Sequence, residues 1–168
     1  MADTELDTRR EATADAIIKS HMTYSALGGA IPVPLLDLGA VAAIQVDMLK
    51  QLAKTYDVEL DARSTRTFVT AALTTLVGRA AARVGASLLK VVPVVGWAAG
   101  GVAQAAITAS ATYAVGRVFA RLFREGRSLD TLTAESVRDE LRAQFEEGKR
   151  IAAHWRREAD EDAPEEQP

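Results

Sequence analysis

Apolar and polar positions along the chain recur at the spacing of α-helices. Residues Asp7–Leu27 begin with charged positions and become apolar, and Gly28 and Gly29 then suit a helix C-terminus. A second helix is predicted from Pro34, because proline fits the first turn of a helix. This helix is apolar on all sides over its first half and amphipathic over its second, so we expect the first half to be buried.

A third and a fourth helix are predicted on either side of a second proline turn. The third reaches about Leu89, and either Asp61 or Ser64 provides its N-terminal cap. Pro93 breaks the chain, and the fourth helix covers about Trp97–Arg124. Strand-like alternation is nowhere long enough to form a sheet. The sequence therefore predicts an all-α, bundle-like fold of about five helices, with two apolar hairpins interrupted by proline and glycine.

The last helix is predicted from its amphipathic pattern. After a loop over residues 126–132, Thr133 suits the N-cap position. One face of the helix, which extends to about residue 157, is apolar at close to the 3.6-residue period. Its apolar positions are Val137, Leu141, Phe145, Ile151 or Ala152, and Trp155.

The fourth helix belongs to an uncharged run, Val91–Gly116, of 26 residues. That is longer than the roughly 20 residues that cross a hydrocarbon core. Between Ala62 and Phe123 the chain carries seven bases and no acid, a charge pattern that suits anionic lipid headgroups. Alternatively, these bases simply solvate the fold and complement helix C-termini. The predicted headgroup contacts are Arg79, Arg83, Lys90, Arg117, Arg121 and Arg124.

Composition predicts one domain and a tail. The chain has 168 residues, near the usual size of a single domain. Residues 158–168 contain six acids and no base, so we predict a disordered acidic tail after a single helical domain over 1–157. Cysteine and asparagine are absent, which excludes disulfides, thiolate metal sites and N-glycosylation and favours a cytoplasm-facing location.

Polar residues and glycines in the apolar stretches are candidates for helix contacts. We predict that Asp37 and Gln45 are buried, where an unpaired polar group costs about 1–3 kcal/mol. For Asp37, the alternatives are a proton or ion path, or stabilisation of the helix start or an ion pair with an arginine. Gly96 and Gly100 form a G-x-x-x-G spacing, with Gln104 in the same row, that allows close helix packing in lipid or in a soluble bundle.

Several stretches resemble a known bacterial family. Residues Gly28–Leu60 read GGAIPVPLLDLGAVAAIQVDML and then KQLAKTYDVEL, while VVPVVGW and ATYAVGR occupy Val91–Trp97 and Ala111–Arg117. These motifs, over roughly Tyr24–Phe123, resemble the domain of uncharacterised function found C-terminal to Era-like GTPases of the YcjF type. The resemblance implies membrane association. This chain has no G-x-x-x-x-G-K-[ST] phosphate loop, so any GTPase would be a separate partner.

Candidate chemistry is sparse. His21 and His154 lie on separate predicted helices, and no Cys/His cluster or H-E-x-x-H motif provides a zinc site. The basic residues are not interleaved with aromatic residues on which bases could stack, so the pattern does not favour nucleic-acid binding. We therefore predict a protein that is not an enzyme, with no cofactor, no metal site and no nucleic-acid partner.

Two functional hypotheses remain open. In the first, the apolar hairpins enter a bilayer, and the chain is a scaffold or effector on the cytoplasmic face of the inner membrane, as a peripheral or integral protein. It then self-assembles or acts with a separate GTPase. In the second, the same segments form the interior of a soluble cytoplasmic bundle or homo-oligomer that binds a protein partner. Average hydropathy does not separate the two, because alanine, glycine and threonine dilute the apolar run.

Overall fold

The computed structural model describes residues 2–29, 37–88, 96–127, 132–133 and 135–161. Over residues 2–3, 28–29, 37–41, 75, 77–88, 96–102 and 159–160 it gives the course of the helix only. No strand occurs in these ranges, and the all-α prediction is confirmed. The five helices found there are α1 Ala2–Gly29, α2 Asp37–Thr55, α3 Ala62–Leu88, α4 Gly96–Arg124 and α5 Arg138–Glu161.

The bundle is organised around α4. This helix contacts each of the other four, and nearly every residue from Thr108 to Phe123 is buried. The burial follows from the sequence, because α4 is apolar on all sides before its terminal arginines. Small side chains such as Ala111 and Ala114 let the neighbouring helices approach closely.

One narrow face of α1 packs antiparallel against α4. Glu11 pairs with Arg124 at one end, and Ser25 Oγ lies 2.8 Å from Thr112 Oγ1 towards the other. Between them, a Cβ placed on Gly116 would lie only 2.7 Å from Cγ1 of Ile18, so the missing side chain permits the close approach. The buried positions of α1 follow the helical period and are Ala14, Ile18, His21, Met22 and Ser25.

Larger side chains of α2 and α3 complete the core. The ring of Phe68 on α3 meets that of Phe119 edge to face, with centroids 5.1 Å apart. Because only residues 89–95 separate α3 from α4, the two helices run antiparallel from this contact. The buried side chains of α2 and α3 are Gln45, Met48, Leu49, Leu52, Ala53, Thr65, Phe68, Val69, Ala72, Leu73 and Leu76.

The link between α2 and α3 is closed by local hydrogen bonds. Asp57 has a φ of 56°, and the amide of Val58 donates to the carbonyl of Ala53 at 2.8 Å, which ends α2 in a Schellman-like turn. Asp61 Oδ2 accepts from the amide of Ser64 at 2.6 Å. Asp61, and not Ser64, is therefore the cap of α3, and that backbone hydrogen bond lowers the pKa of its carboxyl.

The amphipathic face of α5 covers α4. The Thr133 hydroxyl accepts from the amide of Ser136 at 3.1 Å, but this turn precedes α5 and is not its first turn. A Cβ on Gly148 would lie 2.9 Å from the backbone of Ser110, so the two helix backbones nearly touch there. Along the same face, the buried apolar residues are Val137, Leu141 and Phe145, and the half-buried ones are Ile151 and Trp155.

Two helices are longer than the sequence pattern indicated. α1 begins at Ala2, ahead of the predicted Asp7. α5 continues to Glu161, past the boundary predicted for the acidic tail. In this last part of the helix, Glu158 Oε1 lies 3.5 Å from His154 Nε2 one turn earlier. Residues 162–168 lie outside the described residues.

Candidate functional site

Three arginines near the end of α4 are held by carboxylates from other parts of the chain. They follow one another at spacings of four and three residues and so face the groove between α1 and α5. We call this group of ion pairs the charged pole. Its pairs are Arg117 with Asp15, Arg124 with Glu11, and Arg121 with both Glu125 and Glu140.

Arg121 is the most strongly held of the three. Its Nε donates to Glu140 Oε1 at 2.6 Å, and its Nη1 lies 2.8 Å from both carboxylate oxygens of Glu125. These charge-assisted hydrogen bonds, first that to Glu140, raise the pKa of Arg121 above its ordinary value. Arg121 therefore stays charged and joins the end of α4 to the start of α5.

A small polar cavity of about 210 Å³ lies within the charged pole. Tyr56 and Gln144 line it together with the paired arginines and carboxylates. Burial raises the pKa of the Tyr56 hydroxyl, so that side chain is a neutral hydrogen-bonding group. Positive and negative groups balance here, and no three His, Cys, Asp or Glu residues in the described ranges are arranged to hold a metal ion. The arrangement suits a clamp between helices.

This pairing bears on the headgroup contacts predicted for Arg117, Arg121 and Arg124. Asp15 and Glu11 come from α1, at the other end of the sequence, Glu140 comes from α5, and Glu125 directly follows α4. A guanidinium that already has a carboxylate partner must exchange it before it binds a phosphate group. Headgroup contact by these three residues therefore stays a prediction that requires the ion pairs to open.

A buried polar layer crosses the middle of the bundle. Gln45 is fully buried, and its Nε2 donates to Thr112 Oγ1 at 2.6 Å. Thr112 in turn is hydrogen-bonded to the hydroxyl of Ser25, so the layer links α1, α2 and α4. The Oε1 of Gln45 has no hydrogen-bond partner among the described residues. Gln104, predicted in the helix-packing row of Gly96 and Gly100, is half-buried two turns earlier on α4.

His21 joins α1 to α2 beside that layer. Its Nδ1 lies 2.8 Å from the carbonyl oxygen of Ile17, and its Nε2 lies 3.2 Å from Asp47 Oδ2. Both contacts end on oxygen atoms, one on α1 itself and one on α2, so the ring links the two helices. The hydrogen bond to His21 lowers the pKa of Asp47. Sequence reasoning missed this pair, although His21 occupies the buried α1 face at helical spacing.

The end of the bundle away from the charged pole carries exposed apolar side chains. Here α1 and α3 end while α2 and α4 begin, and we call this end the apolar pole. Tyr24 is 58% exposed and Leu27 is 65% exposed. The neighbouring Ala43 on α2 is exposed and Ile44 is half-buried. An apolar surface of this kind on a small domain is a candidate contact site.

α4 extends well beyond α1 at the apolar pole. Past the contact between Ser25 and Thr112, α1 has four more residues and α4 has sixteen, so α4 reaches about 18 Å further. Burial changes along it: residues 108–112 are buried, whereas residues 103–107 are all half-exposed. In the part of the chain that the structure describes, no helix has both the length and the apolarity to cross a bilayer.

For five of the remaining predicted residues the structure gives only the course of the helix, and the sixth lies outside the described residues. The described backbone places Asp37 at the first position of α2, Arg79 and Arg83 in the second half of α3, and both glycines at the start of α4. Their side-chain surroundings, and Lys90 as a whole, lie outside the described residues. The residues concerned are Asp37, Arg79, Arg83, Lys90, Gly96 and Gly100.

Comparison with known proteins gives a family and a relative. Residues 1–150 match the family model described as DUF697, a domain of unknown function. The chain is 34% identical over 145 residues to magnetosome membrane protein 22 from Magnetospirillum gryphiswaldense, covering 86% of this chain and 74% of that protein. No solved structure matches the chain. The family resemblance seen in the sequence is thereby confirmed, and this chain belongs to the DUF697 family.

Proposed function

We propose that this protein is a non-enzymatic, membrane-associated helical scaffold or effector that contacts a bilayer through its apolar pole. The contact is at the cytoplasmic face of the inner membrane. In this role the protein self-assembles or acts together with a separate GTPase. The bilayer is the direct binding partner, and the bundle carries any protein partner on its outer surfaces.

One observation carries the proposal, namely the exposed apolar side chains of Tyr24 and Leu27, which lie three residues apart near the C-terminal end of α1. A tyrosine with an apolar ring and a polar hydroxyl suits the boundary between headgroups and acyl chains. The sequence beyond these helix ends, residues 30–36 and 89–95, contains a single charge, Lys90. Two of the three large apolar side chains that are exposed among the described residues, Tyr24 and Leu27, therefore lie at this pole, and the name of the related magnetosome membrane protein supports a membrane setting.

The opposite pole explains how such a protein stays oriented. Its arginines and carboxylates are strongly hydrated groups that are costly to bring into an apolar layer. Contact through the apolar pole leaves them in water and keeps the clamp between α1, α4 and α5 intact. The half-exposed turn of α4 at residues 103–107, which includes Gln104, then lies near the interface. There it could join the predicted Gly96 and Gly100 row in packing between copies.

Vesicle flotation with a matched pair of substitutions tests this proposal. Leu27→Glu places a charge at the apolar pole, and Leu6→Glu does the same about 31 Å away on the same helix. Leu6 is 53% exposed, so the two positions are similar in exposure. We expect Leu27→Glu to weaken vesicle binding at least about tenfold, since burying a leucine side chain contributes about 1.5–3 kcal/mol. Leu6→Glu should bind as the native chain does.

Equal binding by both variants would contradict docking through the apolar pole. Absence of native binding to any vesicle, together with a stable oligomer in solution, would favour the soluble protein-binding module instead. Replacing Arg117, Arg121 and Arg124 by glutamine tests their headgroup role separately. A loss of binding to anionic vesicles without loss of thermal stability would show that these arginines leave their carboxylates for lipid.

A further inference from the structure

The first three turns of α1 contribute no buried side chain to the bundle. Every side chain of residues 4–13 is exposed except that of Arg10, which is half-buried, and the first buried residue is Ala14. Leu6, the one large apolar residue among them, is 53% exposed. Burial of an apolar face is what stabilises most helices in proteins, so other contacts must hold this part of α1. We call residues 2–13 the N-terminal arm.

The N-terminal arm reaches beyond the helices that α1 contacts. From the close approach of Ile18 to Gly116, α4 continues for eight residues to Arg124, whereas α1 continues for sixteen to Ala2. At 1.5 Å per residue, α1 therefore extends about 12 Å past the end of α4. In the described ranges α1 contacts α2 and α4 and neither of the other two helices. The outer turns of the arm thus project from the bundle.

Among the described residues, two ion pairs join the arm to other parts of the chain. Arg10 Nη2 lies 2.5 Å from Asp57 Oδ2 in the turn after α2, and Glu11 pairs with Arg124 at the end of α4. Both pairs are open to solvent, since the side chains of Asp57 and Glu11 are 78% and 53% exposed. Exposed ion pairs contribute little to stability and are screened by salt. The arm should therefore open locally while α1 stays packed from Ala14 onward.

The arm supplies one wall of the cavity in the charged pole. Glu11 lines this cavity of about 210 Å³, and its carboxylate is bound to the guanidinium of Arg124. Tyr56 and Gln144, which also line the cavity, add a hydroxyl and an amide that can donate hydrogen bonds. Arginine binds carboxylate and phosphate groups with the same N–H donors. The carboxylate on Arg124 therefore marks a position that a phosphate group can take.

We propose that the charged pole is a binding site for a terminal phosphate group, which the N-terminal arm closes by placing Glu11 on Arg124. A terminal phosphate carries up to about two negative charges against one for Glu11, so it competes for the guanidinium when the arm opens. Such a group occurs on small phosphorylated molecules and on phosphatidic acid. The inference does not depend on the proposed membrane contact, because the apolar pole lies at the other end of the bundle.

Three single substitutions separate the arm from the site. Glu11→Gln removes the carboxylate from Arg124 and loosens the arm. Arg124→Gln also loosens the arm, but it removes the guanidinium that would bind phosphate. Glu5→Gln is the matched control, because Glu5 is an acid of the same arm that pairs with Arg9 within the arm. All three positions are exposed or partly exposed, so circular dichroism should show the native helix content.

Hydrogen exchange tests whether the arm opens. Amides of residues 6–13 should exchange faster than those of residues 14–25 in the native chain, and faster still when sodium chloride is added. Glu11→Gln and Arg124→Gln should speed this exchange at low salt, and Glu5→Gln should change it less. If residues 6–13 were as protected as residues 14–25 at every salt concentration, the inference would be overturned.

Calorimetric titration with inorganic phosphate at constant ionic strength tests the site. Glu11→Gln should bind phosphate about two- to fivefold more tightly than the native chain, because an exposed ion pair no longer competes. Arg124→Gln should bind it more weakly, and Glu5→Gln as the native chain does. Equal binding by all four forms, or no binding by any of them, would overturn the site.

Vesicle flotation identifies the source of the phosphate group. The probes are phosphatidylcholine vesicles with and without phosphatidic acid. The same order of variants on phosphatidic acid as on inorganic phosphate would assign the site to a lipid phosphate, whereas an order confined to inorganic phosphate would assign it to a soluble ligand. Leu27→Glu should leave phosphate binding unchanged. Failure of the membrane proposal and failure of this site can therefore be told apart.

Discussion

The contact between α4 and α5 at Gly148 provides a sharp test of the packing. Gly148→Ala adds one methyl group to a helix interior, where alanine is favoured over glycine by about 1 kcal/mol. In isolation the substitution should therefore stabilise α5. In the bundle, however, the new Cβ would lie 2.9 Å from both the Cα and the carbonyl oxygen of Ser110, and 3.1 Å from Cβ of Tyr113.

The magnitude follows from what the methyl group meets. Backbone atoms cannot rotate away, so α5 must move outward by about 0.5–1 Å to reach ordinary contact, a gap that forfeits a quarter to a half of the dispersion energy across it. Overpacking of this kind costs about 1–3 kcal/mol. The gain in helix propensity offsets about 1 kcal/mol of that cost, so Gly148→Ala should lower the free energy of unfolding by up to about 2 kcal/mol. The expected fall in Tm is about 2–4 °C for each kcal/mol.

Gly116→Ala is the matched control for thermal unfolding followed by circular dichroism. Its Cβ would also be crowded, at 2.7 Å from Ile18 Cγ1 and 3.2 Å from Met48 Sδ, but both neighbours are side-chain atoms that can adjust. We expect a smaller loss of stability than for Gly148→Ala. A rise in Tm for Gly148→Ala would refute the close approach of α4 and α5.

Three further predictions concern the core and its polar contacts. Phe145→Ala should lower stability by about 3–5 kcal/mol in a thermal melt, and an unchanged Tm would mean that α5 does not pack on α4. Gln45→Met should change the free energy of unfolding in urea by less than about 1 kcal/mol. The substitution loses the hydrogen bond to Thr112, but it also removes a buried oxygen that has no partner among the described residues. A larger loss of stability would show that this oxygen has a partner. The pKa of Asp47 is lowered by His21, so its carboxylate stabilises the fold above pH 3.8 and loses this effect as pH falls through the lower folded-state pKa. Asp47→Asn should therefore cost less than about 1 kcal/mol at pH 7 for this exposed side chain, and the cost should shrink as pH falls through the folded-state pKa. A cost that grows on acidification would contradict the assignment.

Local sequence was sufficient to predict the helices. The cap at Asp61, the end of α4 near Arg124 and the apolar face of α5 depend on residues within about one turn of each other. Such patterns are visible in one stretch of chain. Helix ends were less well predicted, because the boundary of the tail was set by acidic composition, whereas residues 158–161, Glu-Ala-Asp-Glu, include good helix formers and continue α5.

Those local patterns did not predict which residues contact each other between helices. The sequence indicated cations beside an apolar run, which suggested free headgroup ligands at Arg117 and Arg124. Only the packed bundle brings these residues to Asp15 and Glu11, about a hundred positions away in the chain. The same holds for His21 and Asp47 on neighbouring helices.

The sequence by itself thus determined that the chain is helical, which faces are apolar and which family it belongs to, because helix formation and motif spacing depend on near neighbours. Tertiary structure decided the register of the helices, and with it which charges pair and which apolar side chains stay exposed. A shift of one helical turn between α1 and α4 would separate both pairs that join these helices, Arg117 with Asp15 and Arg124 with Glu11. Packing of side chains such as Ile18 against Gly116 sets that register, and no local pattern encodes it.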